Sequence, residues 1–350
     1  MGFESFPFLL GWELTLACNL RCAHCGSSAG QPQANELTTR ECLAICEQLP
    51  ELLVREVDFT GGEPLLREDI FALLCRMAGL DILTTVVSNG LLLTPAVIKR
   101  LREVKVKGVG LSVDGCPATH DRIRGREGMQ RQLLATLEDL RAAGIQTTVI
   151  TTANALNLDE LPELRETLAQ VGVGRWQVQP IFSLGRTRES SVLGLDQNDY
   201  ARLGEFARQC MATDSYQGMR IAFSDSYGYY TERDTRQPAW GGCPAGIASC
   251  GITSDGRIKG CLSLPDEFSE GDLRQNDLWQ IWFHPDSFRY NRAYDQSQLG
   301  ENCRGCAEAE RCRGGCSAMS VGSTGRFHND PLCFTGMENR KQASGRQSNA

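Results

Sequence analysis

Three cysteines, Cys18, Cys22 and Cys25, fall within the run CNLRCAHCG. A thiolate is a soft donor suited to zinc or iron. A structural zinc takes four ligands and a cubane cluster has four irons, so three thiolates leave one metal corner open to substrate or cofactor. The same spacing marks one face of a buried helix, where cysteine packs as a small apolar residue. Asn19, Arg21 and His24 between the thiols, and Gly26-Ser27-Ser28-Ala29-Gly30 after them, describe a metal-binding loop instead. His24 is a further candidate donor in it.

Eight more cysteines crowd the C-terminal third. They read Cys243-x6-Cys250-x10-Cys261, then Cys303-x2-Cys306-x5-Cys312-x3-Cys316, then Cys333 after a gap of sixteen residues. The chain around them is rich in glycine and poor in core-forming residues. Such a segment needs staples, and metal clusters are the staples its thiols offer. Zinc ribbons repeat short CxxC pairs and would not produce this order. Cys42, Cys46, Cys75, Cys116 and Cys210 lie outside both arrays and are expected as core or incidental residues, Cys75 on an apolar stripe.

A repeating β–α pattern must position the first array. Short apolar or β-branched runs predict strands at Trp12–Ala17, Glu56–Thr60, Leu83–Ser88, Val109–Val113, Gln146–Thr151 and Trp176–Gln179. Helical spacing predicts helices at Thr39–Leu49, Glu68–Ala78, Pro95–Glu103, Met129–Ala143, Leu158–Val171 and Asn198–Thr213, with Thr94 ahead of Pro95 as a start signal. Six such units imply an α/β fold: a parallel sheet, helices outside, curved into a barrel or partial barrel with its site at the C-terminal strand ends. Those ends carry Thr60-Gly61-Gly62-Glu63-Pro64, Ser88-Asn89-Gly90, Ser112-Val113-Asp114-Gly115 and, further on, His120 to Gly125. Paired glycines permit close backbone approach, and a free Glu63 carboxylate could pair with an ammonium group. The expected domains are 8–213 for the barrel, 214–242 as a linker, 243–335 for the cysteine-rich unit and 336–350 as a polar, disordered tail.

Forty-three acidic against 36 basic residues give a formal net charge of −7, which lacks the basic footprint of a nucleic-acid-binding protein. The start, MGFESFPFLLGWE, has no basic region before its short apolar stretch, and no run approaches the roughly 18 apolar residues of a membrane span. A cytoplasmic location without membrane contact is the expectation. Sixteen cysteines in 350 residues are then metal ligands of a reducing compartment rather than a disulfide framework.

CxxxCxxC behind the first strand of a βα barrel resembles the signature of the radical S-adenosylmethionine (radical SAM) enzymes, and Gly61-Gly62-Glu63-Pro64 is similar to that family's GGEP segment. The resemblance implies a partial (β/α)6 TIM-like barrel in which Cys18, Cys22 and Cys25 hold a catalytic 4Fe–4S cluster whose open iron chelates SAM. One electron cleaves SAM to methionine and a 5′-deoxyadenosyl radical, which abstracts a substrate hydrogen. It also implies SAM contacts from Gly61, Gly62, Glu63 and Pro64, with Glu63 facing the methionine ammonium. Ser112 and Arg124 map to the ribose and carboxylate contacts; the rigid arginine fork suits a carboxylate. Gln179-Pro180 falls where the family packs backbone against adenine.

The C-terminal array resembles the small, loop-rich SPASM extension of one radical SAM branch, with twelve residues between Cys243 and Gly256 and four between Gly256 and Cys261. This implies two auxiliary 4Fe–4S clusters, one on Cys243, Cys250, Cys261 and Cys316, the other on Cys303, Cys306, Cys312 and Cys333. Cys250 lies outside the pattern's seven-cysteine core; without it the first auxiliary cluster has an open iron.

The SPASM branch includes peptide and protein maturases. The expected activity is therefore a radical oxidoreductase that installs an oxidative modification or crosslink in a ribosomally made precursor peptide. Its cofactors would be three 4Fe–4S clusters and SAM, with a flavodoxin- or ferredoxin-type electron donor. One alternative is a small-molecule enzyme of the same architecture, a dehydrogenase, epimerase or tetrapyrrole side-chain decarboxylase. Another is a non-catalytic iron–sulfur electron carrier, against which the open three-cysteine loop speaks. Leu262 follows Cys261 where sulfatase maturases carry an Asp base, which disfavours sulfatase maturation. A first strand near residue 12 leaves no room for the N-terminal leader-binding domain of many maturases, so a separate leader-binding protein or a surface such as 181–242 is expected. Tyr216, Phe223, Tyr227, Tyr229, Tyr230 and Trp240 are candidates to line a peptide groove, with local packing as the competing role.

Anaerobically reconstituted protein is expected to carry about twelve irons per chain, as three four-iron clusters require. A chemical iron count near four would remove both auxiliary clusters.

Overall fold

Period-two alternation along six short strands decides which side of the sheet becomes core and which becomes cavity. The structure is a computed structural model and describes residues 5–189, 192–225 and 241–337. Strands β1 (Leu9–Glu13), β2 (Glu56–Thr60), β3 (Leu83–Ser88), β4 (Gly108–Ser112), β5 (Gln146–Ala153) and β6 (Arg175–Pro180) lie side by side and parallel. Trp12, Phe59, Val86, Leu111, Val149 and Val178 are 0% exposed and form the layer beneath the helices. Their neighbours Glu13, Thr60, Val87, Ser112, Ile150 and Gln179 face the other way and line a single cavity.

The outer layer is α1 (Thr39–Cys46), α2 (Ile70–Gly79), α3 (Pro95–Glu103), α4 (Pro117–Arg124), α5 (Met129–Ala142), α6 (Leu161–Gln170) and α7 (Gln197–Met211). Apolar residues at helical spacing, such as Leu133, Leu137 and Leu140 on α5, pack into the same core. Thr38 and Glu41 form a capping box at the start of α1. Thr94 caps α3 through Val97 N, with Pro95 at the first helical position. Cys42, Cys46 and Cys210 are buried in this layer, whereas Cys75 is exposed rather than on the apolar stripe expected for it.

The sheet does not close. Its order is β10-β9-β8-β1-β2-β3-β4-β5-β6-β7, so β7 and β10 are edges. β7 (Arg220–Phe223) extends β6 in parallel within a stretch expected to be linker; four residues are too few to show a period. β8 (Ser249–Ile252) runs parallel to β1, with Cys250 opposite Leu10 and Ile252 opposite Trp12. β9 (Arg257–Lys259) and β10 (Gly271–Asp272) continue antiparallel. The cysteine-rich unit is thus welded to the barrel sheet.

Two further differences have local causes. β1 ends at Glu13 rather than Ala17 because the Glu36 carboxylate accepts Leu16 N at 2.7 Å and the Thr15 hydroxyl, drawing the chain off the ladder. Helix α4 has no counterpart among the helices expected from spacing. Pro117 at its first turn and Gly125 in the left-handed conformation (φ 71°) just past its end are nonetheless its start and stop signals. Among the described residues no helix is long and apolar enough to cross a membrane.

Phe59→Ala should lower the unfolding free energy by about 3–5 kcal/mol through lost burial and a residual cavity. Leu83→Ala, at a side chain that is 51% exposed, should cost no more than ~0.5 kcal/mol. Urea midpoints compare the two.

Candidate active site

The cysteine loop is pinned at its neck. Cys18 N donates to Gly30 O at 3.0 Å and Gly30 N to Leu16 O at 2.8 Å. The GGEP segment straps this neck from behind, Gly62 N donating to Thr15 O at 2.7 Å and Glu63 N to Ala17 O at 2.8 Å. A Cβ on Gly62 would lie 2.2 Å from Ala17 O, so only glycine permits the approach. From the loop after β6, Arg186 reaches over with Nε on Cys22 O and Nη1 on Ala29 O, both at 2.8 Å.

The three thiols lie within one another's fields. Burial raises the Cys18 thiol, and the charges of Glu63 and Cys25 add to it. Burial also raises Cys22; Arg124 opposes the rise, and Asp114, Cys25 and Cys18 reinforce it. Asn89 Nδ2 approaches the Cys18 sulfur at 3.9 Å and Arg124 Nη1 the Cys22 sulfur at 3.7 Å, donors suited to an anionic thiolate. Among the described residues no three His, Cys, Asp or Glu side chains converge on a single ion. A four-iron cube, which takes each thiolate on a different iron, asks for a wider spacing. Among the described residues buried His24 Nδ1 has no partner, leaving a polar atom in the thiol loop for a cluster to satisfy. The residues fit such a group.

Asp114 organises this set. It is 0% exposed and sits one turn beyond β4. Its Oδ2 accepts Arg124 Nε at 2.6 Å and meets His24 Nε2 at 3.0 Å, and its Oδ1 accepts Thr152 N at 2.9 Å. Burial alone would raise this carboxyl; the charges of Arg124 and His24 override it and hold the group far below the usual carboxylate range. His120 Nδ1 accepts Asp114 N at 3.0 Å, and burial pushes His120 down to about 4, so it is neutral near pH 7.

A cavity of about 800 Å³ opens at these strand ends. Cys25, Gly61, Ser112, Arg124 and Gln179 line its barrel side; Thr253, Lys259, Leu262 and Asp266 line the side of the C-terminal unit. Gly62, Glu63 and Pro64 stand behind the wall. The Glu63 carboxylate is not free as expected: it is fully buried and accepts Ser88 Oγ at 2.9 Å, Asn89 N at 2.8 Å and Leu65 N at 3.1 Å. Arg124 likewise spends two of its nitrogens on Asp114. Asp114, Asn89 and Arg186 are the positioning residues that spacing did not reveal; Asp114 lay in view within a strand-end segment, with nothing to mark it as buried.

The C-terminal thiols form two groups. Burial raises Cys316, followed by the charges of Asp225, Cys243 and Cys261, and Cys261, raised to about 11, feels Cys243. Burial raises Cys303 to about 12, with Cys333 and Cys306 adding to it. The Tyr294 hydroxyl, raised chiefly by burial, senses both Cys312 and Cys303. Gly336 N donates to the Cys333 sulfur at 3.3 Å. Cys250 is raised to about 12 by burial and eased by Arg292, and acts on the Tyr290 hydroxyl together with Cys243 and Cys261. Among the described residues the buried hydroxyls of Tyr290, beside Cys243, Cys250 and Cys261, and of Tyr294, beside Cys303, have no partners. Each is an orphan donor for a cluster, so both groups fit the role expected of them.

The aromatic candidates for a peptide groove divide. Phe223 is buried edge-on against Phe206, and Tyr216 lies under Arg165 with its hydroxyl on Glu166, so both serve packing. Tyr227, Tyr229, Tyr230 and Trp240 lie outside the described residues.

Comparison with known proteins agrees with this geometry. The radical SAM superfamily profile matches residues 12–168, and an iron–sulfur cluster-binding domain profile, SPASM, matches 243–307. The AdoMet-dependent heme synthase of Methanosarcina barkeri is 30% identical across 95% of this chain and 98% of its own. The mycofactocin maturase MftC of Mycolicibacterium smegmatis is 30% identical across 89% of this chain and 78% of its own. Among solved structures, SuiB of Streptococcus suis bound to S-adenosylmethionine superposes with a TM-score of 0.77 at 20% identity, over 94% of this chain and 77% of that one.

Asp114→Asn is expected to cost about 3–5 kcal/mol at neutral pH, because it leaves Arg124 buried without its counter-charge. Folding lowers the Asp114 carboxyl below its unfolded value of about 3.9, so its contribution is full above that pH and is lost as pH falls through the folded value. Urea unfolding of both proteins should show a gap that holds at about pH 5 and narrows below about pH 4.

Proposed function

Because the chain belongs to the radical SAM superfamily and carries its SPASM iron–sulfur domain, we propose that it is a peptide-modifying oxidoreductase of the cytoplasm. Its substrate would be a ribosomally made precursor peptide, oxidised or crosslinked after removal of one hydrogen atom. When bound, SAM and the reduced 4Fe–4S cluster supply the 5′-deoxyadenosyl radical that takes this hydrogen. Cys18, Cys22 and Cys25 would hold that cluster. Two auxiliary clusters would rest on Cys243, Cys261 and Cys316 with a fourth donor, for which Cys250 is the sequence expectation, and on Cys303, Cys306, Cys312 and Cys333.

One observation carries the reading. The cavity runs without interruption from Cys25 and Arg124 to Leu262 and Ser263, which follow Cys261. A substrate held there would lie between the loop that would hold the radical-generating cluster and thiols whose auxiliary cluster, when bound, would accept the electron given up by the substrate radical. Asp114 keeps Arg124 and the cysteine loop in register. Gly61, Ser112, Arg124 and Gln179, which line the barrel wall, would contact SAM.

The heme synthase relative favours a second reading, a tetrapyrrole substrate. Most cations of the cavity are already paired, which supports the first; Arg188, also on its lining, has no ion pair among the described residues. Arg257 is paired with Asp255 and Asp266, Lys259 with Asp266, and Arg124 with Asp114. Carboxylate side chains of a tetrapyrrole would need cations not already committed. MftC is a maturase, and SuiB has been seen bound to its precursor peptide SuiA. A separate leader-binding protein and a flavodoxin- or ferredoxin-type donor complete the proposal.

Dithionite-reduced protein should convert SAM to 5′-deoxyadenosine, and Cys22→Ala should abolish the conversion while the auxiliary clusters remain. Co-expression with short peptides encoded beside its gene should yield a peptide lighter by a pair of hydrogens. If none changes and an iron tetrapyrrole loses carbon dioxide instead, the second reading stands and the first falls.

A further inference from the structure

The cysteine loop borders a second hollow, of about 530 Å³, whose lining includes Cys18, Leu20, Arg21, Gly30, Arg126 and Arg186. No residue on that lining also lines the substrate cavity, which the loop meets through Cys25 instead. The loop therefore stands between two openings, with one thiol turned to each. Every charged residue lining the hollow is an arginine. Arg186 is spent on the carbonyls of Cys22 and Ala29. Arg21 and Arg126 are exposed, and among the described residues no acid pairs with either. Ala23 N donates to Ile123 O at 2.9 Å, which holds the cysteine loop against the end of α4 and brings both arginines to one rim. The neighbouring acids do not cancel them: the Asp121 carboxylate is taken up by Gly128 N and Gln130 N, and Glu127 does not line the hollow. In a chain of formal net charge −7 this rim is a local reversal of sign.

We propose that this arginine-rimmed hollow is the docking surface of a small acidic one-electron carrier protein, which passes its electron to the cluster from the Cys18 side. The proposal rests on reading Cys18, Cys22 and Cys25 as ligands of a redox cluster. One electron is needed for each SAM cleaved, and SAM and substrate fill the cavity at Cys25, so the donor needs an approach of its own. The hollow at Cys18 supplies one. The carrier is oxidised by one electron and the cluster reduced by one; no bond forms or breaks. Exposed, unpaired arginines suit such a partner, because they steer a brief encounter and leave it easy to dissolve. Electron-transfer encounters are among the smallest protein interfaces. A precursor peptide or its leader fits the hollow less well, since the peptide must run into a cavity with which this hollow shares no wall residue.

The probe is fully reduced flavodoxin, an acidic flavoprotein that gives up one electron at a time. The full chain is reconstituted anaerobically as wild type, Arg21→Glu, Arg126→Glu and Arg102→Glu, the last an exposed arginine of α3 that does not line the hollow. Calorimetry at low salt should show flavodoxin binding about tenfold weaker in Arg21→Glu and Arg126→Glu and unchanged in Arg102→Glu. Wild-type binding should weaken as ionic strength rises to about 0.5 M. Flavodoxin-driven formation of 5′-deoxyadenosine should fall with affinity in Arg126→Glu, whereas excess dithionite, which needs no docked protein, should drive that variant at the wild-type rate. Equal affinity in all four proteins, or an equal loss in Arg102→Glu, overturns the docking surface. A wild type that makes no 5′-deoxyadenosine even with dithionite overturns the cluster reading beneath it.

Discussion

A carboxylate cut off from water is tolerated only where cations and hydrogen-bond donors replace the solvent. Asp114 meets that condition by drawing three separate parts of the chain together. His24 comes from the cysteine loop, Arg124 from the end of α4, and Thr152 N from the inner side of β5. The thiols inherit their positions from this arrangement, because the guanidinium neutralising Asp114 also approaches the Cys22 sulfur. A loop rich in glycine and serine would otherwise have little to order it. The hydrogen bonds of Arg186 and the close approach at Gly62 finish what the buried acid begins.

The same economy governs the sheet. Parallel strands demand cover on both faces, yet only the outer face here meets helices. The inner face carries Glu13, Thr60, Ser112 and Gln179, which would be unstable against an apolar layer but suit a polar cavity. The C-terminal unit covers the open side by adding β8 to the edge of β1. That pairing removes an exposed edge beside the site, and it fixes the distance between the two groups of thiols through backbone hydrogen bonds rather than a flexible tether. Lys259, at the end of β9, and Leu262 just after it therefore arrive at the mouth of the barrel in a set orientation.

Much of this was legible from residue spacing. Strands β2 to β6 fall within a residue or two of expectation because alternating β-branched runs bounded by glycine and asparagine have few other solutions. The thiols were plain for a different reason, since metal-ligand spacing is a local property of the chain. What stayed hidden was non-local or very short. β7 and β8 have four residues each and gain their strand character only from β6 and β1. Glu63 looked available because sequence shows charge and not burial; its oxygens are consumed by the end of β3.

The thiols themselves argue that the C-terminal unit completes its folding with metal in place. Burial raises Cys250 and Cys303 to about 12 and Cys261 to about 11, so without metal these side chains keep their protons. Neutral, tightly gathered thiols hold one another weakly. The orphan hydroxyls of Tyr290 and Tyr294 add an unmet cost to that state. Bound iron would remove both penalties, since it would ionise the thiols and give the hydroxyls anionic sulfur to meet. The barrel differs. Its thiol loop is also held by Asp114, Arg186 and the GGEP strap through hydrogen bonds of the protein itself.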